Sequence, residues 1–373
     1  MAGKKKKRIA RRRGEPTAIP DSVKLGNAPA ADTDTSNPIA DPLPTTPFDV
    51  VYAGGLLRLR RYRTEQGPTR SPPILLVYSL VKRPYVLDLL PDRSVVRSLL
   101  REGLSVYLAD WLPPRPEDAV RRLHDYINED LAHAVDCIRR IEGADRIALV
   151  GCCLGGFLAA VYAALHPETV ERLMVFALPF ESRPPFGPAA AEYLAGVYGN
   201  IPAWWIRGGL NARVPDRAHL SAFVATELGE PELARTDSQL EPSAVELALE
   251  TWFGSDVPFA GRLFGEVMGN AYGQSQFASS QLMVGDRRVA LEEIRCPILN
   301  VCAENDRVVP PQESLSFVRH VGSRHATNLV FTGGHLGLMV SRAAHASLWP
   351  HVGRWLAGEV AGETPDASRS AAA

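Results

Sequence analysis

The chain has 373 residues, 46% of them hydrophobic and 22% charged, enough for one large or two ordinary domains with a sizeable core. Its formal net charge of −1 hides an asymmetry: eight cations stand within the first 13 residues, while the rest carries 33 Lys and Arg against 42 Asp and Glu, an acidic body whose charge speaks against a nucleic-acid binder. Five cysteines, an odd number without zinc-ligand spacing, speak against a disulfide framework or a zinc site, and no apolar segment follows the basic start as a secretory signal requires, so the expected location is reducing and cytoplasmic.

Residues 1–47 are basic, then rich in Pro, Ala, Thr, Ser and Asp, and are expected to form a disordered tail. "DVVYAGGLLRLRRY" (49–62) predicts a β-hairpin with glycines at its turn. "PILLVYSL" (73–80) is the continuous apolar run of a buried strand. A helix is expected over 93–102, stopped by Gly103, and "LSVYLADW" (104–111) is the next strand. Over 117–141, Val120, Leu123, Ile127, Leu131, Val135 and Ile138 recur at spacings of three and four and predict an amphipathic helix. "RIALVG" (146–151) is a strand, 154–165 a helix and "ERLMVFAL" (171–178) a strand. From 181 to 288 the rhythm lapses into a Pro-, Trp- and Phe-rich segment, mostly helical or irregular. It resumes with "CPILNVCA" (296–303), a helix near 311–321, "TNLVFT" (327–332) and a helix near 342–357; residues 359–373 are expected to be disordered. Strands alternating with helices predict an α/β fold, a mostly parallel sheet covered on both faces. Its core would span 48–180 and 289–358, with 181–288 inserted as a cap over the carboxyl edge of the sheet.

The run 147–165, "IALVGCCLGGFLAAVYAAL", has 19 residues and no charge, nearly a membrane span by length. Its glycines divide it instead into strand, tight turn and helix. In the frame Gly151-Cys152-Cys153-Leu154-Gly155 only Cys153 has glycine at both minus two and plus two, as the G-x-S-x-G nucleophile elbow requires. Cys153 then sits at a helix N-terminus, where the helix dipole favours a thiolate. A nucleophile needs a base and the base an orienting acid, in the chain order nucleophile, acid, histidine for this fold. Asp306 is the candidate acid in "CAENDRVVPP", with Glu304 the alternative, and His335 in "FTGGHLG" is the candidate base. An oxyanion hole would use the backbone N–H groups of Leu154 and, from the loop after the 73–80 strand, Val81. No metal-ligand cluster and no nucleotide-binding glycine loop is evident, so no cofactor and no metal is expected.

"RPYVLDL" (83–89), the strand end "DW" (110–111), "VGCCLGGF" (150–157) and "GGHLG" (333–337), occurring together and in order, resemble the catalytic subunit of class III polyhydroxyalkanoate synthases over about residues 48–358. The resemblance implies an α/β-hydrolase fold with a cap and an acyltransferase that polymerises (R)-3-hydroxyacyl-coenzyme A, with 3-hydroxybutyryl-coenzyme A as the short-chain substrate. It implies Cys153 as nucleophile, Asp306 as acid and His335 as base. It also implies a second, non-catalytic subunit, self-association and a place at polyester granules. Three residues depart from the family pattern: Lys82 where asparagine is usual, Arg307 where histidine follows the aspartate, and Leu112 where glycine follows the tryptophan. Lys82 either presents a cation to the site or points to solvent. The cap resembles the family only around Trp252, Asp256 and Pro258, and its aromatic residues either line an acyl channel or pack as core. The competing readings are a cysteine-type hydrolase of the same fold, a thioesterase or polyester depolymerase, and a non-catalytic scaffold.

Overall fold

The computed structural model describes residues 46–64, 72–184, 186–211, 220–234 and 242–359. The tails expected at 1–47 and 359–373 lie outside these residues, apart from 46, 47 and 359. Eight strands form the main sheet: β1 (Phe48–Gly54), β2 (Leu57–Tyr62), β3 (Ile74–Val77), β4 (Val106–Trp111), β5 (Ile147–Cys152), β6 (Val170–Phe176), β7 (Ile298–Ala303) and β8 (Ala326–Phe331). Their spatial order is β1-β2-β4-β3-β5-β6-β7-β8. The hairpin β1-β2 joins β4 antiparallel, and β4 through β8 run parallel.

Six parallel strands must be covered on both faces, and the side-chain period of two divides the core accordingly. Leu75 and Val77 of β3 pack on one face with α2 (Ala132–Glu142) and α3 (Leu154–Leu165), while Ile74 and Leu76 pack on the other with α1 (Val95–Arg101). Every residue of β5 and of α3 is buried. The uncharged run 147–165 is therefore two core elements joined by a turn. Among the described residues no helix is long and apolar enough to cross a membrane.

Two expected helices differ in detail. Residues 116–120 form a 3-10 turn that leaves Val120 75% exposed, and a π-helical stretch (Asp125–Leu131) leads into α2. Pro116 starts that turn, and Arg121 leaves helical geometry at ψ 137°, so the periodicity was one helix long only from about 123 onward. Near 311–321 the chain makes two 3-10 turns, Pro311–Glu313 and Phe317–Arg319, rather than a continuous helix.

Between β6 and β7 the chain leaves the main sheet. Its described residues there form α4 (Pro188–Tyr198), α5 (Ala203–Asn211), α6 (Leu220–Leu228), α7 (Ala244–Phe253) and α8 (Gly261–Phe264), with a small hairpin at 283–288. Buried charges fasten this segment and the strand ends. Asp110, at the end of β4, receives Arg58 and Arg60 at 2.6 Å each and Arg83 at 3.3 Å. Arg83 also donates to the Trp111 carbonyl, and its own carbonyl accepts the indole N–H of Trp252 from α7. The "RPYVLDL" and "DW" sequences are thus two halves of one ion-pair network.

His345 sits in the helical turn Ala344–Leu348, ahead of α10 (Trp349–Leu356), with Nδ1 3.0 Å from Ser98 Oγ and Nε2 2.9 Å from the Met339 carbonyl. A neutral ring satisfies both contacts. Burial, opposed by the Met339 carbonyl and aided by Arg101 and Arg93, pushes its pKa down to about 4. Between about pH 4 and 6.5 the unfolded chain binds a proton here that the folded protein does not, so stability falls as pH drops through that window, by up to roughly 3 kcal/mol. In His345→Gln the loss of urea-unfolding stability from pH 7 to pH 4.5 should be visibly shallower than in the wild type.

Candidate active site

The turn between β5 and α3 is built by steric necessity. A Cβ on Gly155 would lie 2.1 Å from the Val77 carbonyl oxygen, and one on Gly151 would lie 2.5 Å from the Gly156 Cα. Both obstacles are backbone, so neither position admits a side chain. Between them Cys153 takes φ 52° and ψ −122°, a conformation that residues with a Cβ rarely adopt. Its N–H donates to the Phe176 carbonyl at 3.0 Å, and its carbonyl accepts from Gly156 at 2.9 Å and Phe157 at 3.2 Å. The thiol of Cys153 faces a cavity of about 260 Å³. Cys152 points the other way, 1% exposed, with its sulfur 3.8 Å from the Met339 sulfur, and burial pushes its thiol well above the usual range.

The loop after β8 brings His335 to the same cavity. His335 Nδ1 donates to Asp306 Oδ2 at 2.7 Å, and the ring shares the cavity with Cys153, which acts on its protonation. Asp306 is fixed by its second oxygen, which accepts the N–H groups of Val308 (2.8 Å) and Val309 (2.7 Å). Burial works against a charged His335, but the Asp306 carboxylate with its hydrogen bond, and the neighbouring Cys153, outweigh it and hold the imidazole well above its ordinary pKa. Glu304, the alternative acid, is exposed. Arg307 is exposed as well, and Leu112 is half-buried against the core.

Val81 and Leu154, the expected oxyanion donors, line the cavity beside Cys153. Among the described residues no backbone hydrogen bond claims either N–H. Of the two expectations for Lys82 the solvent-facing one fails: it borders the cavity, but its cation is paired with an acid. It is buried, with Nζ 2.6 Å from Asp256 Oδ1 and 2.9 Å from the Phe253 carbonyl, and it lies 5.0 Å from the Trp252 ring centre. The neighbouring Val81 carbonyl accepts the Val257 N–H at 3.1 Å. The loop after β3 is therefore stitched to the segment after α7, where an acid from the insertion pairs with the buried Lys82.

The insertion's aromatic residues divide. Trp252 and Phe253 line the cavity, Phe264 is core with Trp205 packed on it, and Trp204 is exposed. Among the polar residues on the cavity wall, Ser79, Tyr272 and Glu227 carry no sequence motif. The buried hydroxyls of Ser79 and Tyr272 have no hydrogen-bond partner among the described residues. Among those residues, too, no group of three or more His, Cys, Asp or Glu could hold a metal ion.

The family model described as the alpha/beta hydrolase fold matches residues 72–341. The poly(3-hydroxyalkanoate) polymerase subunit PhaC of Haloferax mediterranei is 34% identical over 86% of this chain and 66% of its own length. The protein of the same name from Allochromatium vinosum is 33% identical over 89% of this chain and 91% of its own. Among solved structures, the monoacylglycerol lipase of Paleococcus ferrophilus superposes with a TM-score of 0.53 at 16% identity, covering 82% of this chain and 99% of the lipase, a likeness of fold alone.

Proposed function

Because the chain belongs to the poly(3-hydroxyalkanoate) polymerase family of α/β hydrolases, we propose that it polymerises (R)-3-hydroxyacyl-coenzyme A into polyester through a thioester on Cys153. The observation that carries this reading is the His335–Asp306 hydrogen bond beside Cys153, which stands at a strained elbow in the same apolar cavity. His335 takes the thiol proton at Nε2, since Nδ1 is committed to Asp306. The thiolate attacks the thioester carbonyl, and the N–H groups of Leu154 and Val81 receive the oxyanion. The carbon–sulfur bond to coenzyme A then breaks, and His335 returns the proton to the departing thiolate.

Exchange of one thioester for another keeps the acyl group activated. The 3-hydroxyl of a second unit then attacks the acyl-Cys153, giving its proton to His335, and an ester forms as the Cys153 sulfur leaves. A serine at the elbow would hold the acyl group as a less activated oxyester, better suited to hydrolysis. On this reading residues 181–288 act as a cap whose Trp252 and Phe253 border the acyl site. The word "subunit" in the relatives' names supports a second polypeptide, and an insoluble product supports a place at polyester granules, with self-association as the further expectation.

The test is the product. The full chain, supplied with 3-hydroxybutyryl-coenzyme A, should release thiol and build polyester together, with and without a partner subunit. Thiol release accompanied only by free hydroxy acid would overturn the polymerase reading in favour of a hydrolase.

A further inference from the structure

Glu227 is a buried carboxylate on α6, within the insertion, and it borders the same cavity as His335. The histidine loop is moulded around it. Gly334 donates its N–H to the Glu227 carbonyl at 3.0 Å, and Leu336, next in chain to His335, donates to Glu227 Oε2 at 3.4 Å. A Cβ on Gly334 would stand 2.2 Å from Oε2, and one on Gly337 would stand 2.6 Å from the Glu227 carbonyl oxygen. The glycines on either side of His335 are thus the space that the end of α6 occupies.

That helix end is also anchored apart from the histidine loop. Glu230, three residues on, binds the buried Arg93 guanidinium at 2.8 and 2.6 Å and accepts the Arg342 N–H at 2.8 Å. Glu227 therefore needs no charge of its own to keep α6 in place. The electrostatics match the geometry. Burial raises the Glu227 pKa, while the charge of His335, the Leu336 N–H and Arg307 draw it down, against the repulsion of Asp306. Asp306 from the loop after β7 and Cys153 from the elbow act on His335, and Glu227 from the insertion lines the same cavity and feels the His335 charge, with Arg307 on the Glu227 side.

We infer that Glu227 is a positioning residue for His335, a second carboxylate that the inserted helix sets against the histidine loop so that the imidazolium is fully stabilised only while α6 is docked. The inference rests on the reading of Cys153 and His335 as reacting groups. It makes the insertion part of the proton-handling machinery as well as a wall of the cavity.

Two variants separate charge from shape. Glu227→Gln keeps an acceptor for the Leu336 N–H and removes the charge; Gly334→Ala keeps the charge and pushes the carboxylate aside. The readout is the titration midpoint of His335 in the full chain, followed by NMR of 15N-labelled histidine and assigned with His335→Gln. A neighbouring carboxylate raises an imidazole by about one unit or more, so both variants should lower the midpoint, Glu227→Gln by about one unit. Thiol release from 3-hydroxybutyryl-coenzyme A should fall several-fold in kcat with KM little changed, since a less basic imidazole draws the Cys153 proton less strongly. Folding is checked by circular dichroism, and a well-folded Glu227→Gln whose His335 midpoint matches the wild type overturns the inference. Failure of the underlying reading looks different: Cys153→Ala would then retain thiol release, whatever Glu227→Gln does.

Discussion

Cys153→Ala should lose thiol release from 3-hydroxybutyryl-coenzyme A by about 10⁴-fold or more, whereas Cys152→Ala should stay within a few-fold of the wild type. The two cysteines are adjacent in sequence and chemically identical, so the contrast isolates geometry. Cys153 reaches the cavity that His335 also lines, while Cys152 is sealed against Met339 in the core. On the proposed mechanism, removing the Cys153 sulfur removes the atom that bonds the acyl group. Removing that of Cys152 leaves a small void and costs about 1 kcal/mol of stability. Coenzyme A release followed with a thiol-reactive dye, alongside unfolding curves for both variants, checks each half. Loss in Cys152→Ala with activity kept in Cys153→Ala would mean that the glycine frame selects the wrong sulfur.

Asp306→Asn should cost about 10⁴-fold in kcat with little change in overall structure. The amide oxygen can still accept the N–H groups of Val308 and Val309, so the loop keeps its form. The amide NH₂ then faces His335 Nδ1, where only an acceptor nitrogen fits. The imidazole proton is driven to Nε2, the nitrogen that must be empty to take a proton from Cys153. The same change removes the carboxylate that holds His335 above its ordinary pKa of 6.5. A histidine raised in the folded state stabilises fully below about pH 6.5 and loses that contribution as pH climbs through its folded value. The stability gap between wild type and Asp306→Asn should therefore be widest in mildly acid solution and close in alkali, as urea unfolding at a series of pH values would show.

The sheet was legible because parallel strands buried on both faces leave continuous apolar runs, and β3, β5 and β7 are such runs. The tight turn at Cys153 was legible because it leaves a glycine on either side, and the Asp306–His335 pair because chain order points to the ends of late strands. The helix expected over 117–141 failed at its start because periodicity says nothing about Pro116 or the extended Arg121 that follow different local rules. Lys82 was unreadable for another reason. Its partner Asp256 lies 174 residues away in a segment without regular pattern, and no local spacing announces so distant a pairing. Glu227 is hidden likewise, since the only trace it leaves is a set of glycines around His335 that a mobile or tightly turned loop would also require.

The positive φ of Cys153 carries an evolutionary consequence. A residue with a Cβ held in that region costs on the order of 1–3 kcal/mol, and only glycine would relieve it. Stability alone would therefore favour losing the sulfur, since a glycine there would leave a sturdier and inert protein. The strain is a standing debt that selection for activity must keep renewing, and drift toward relaxation at this one position would turn an enzyme into a scaffold without altering its fold.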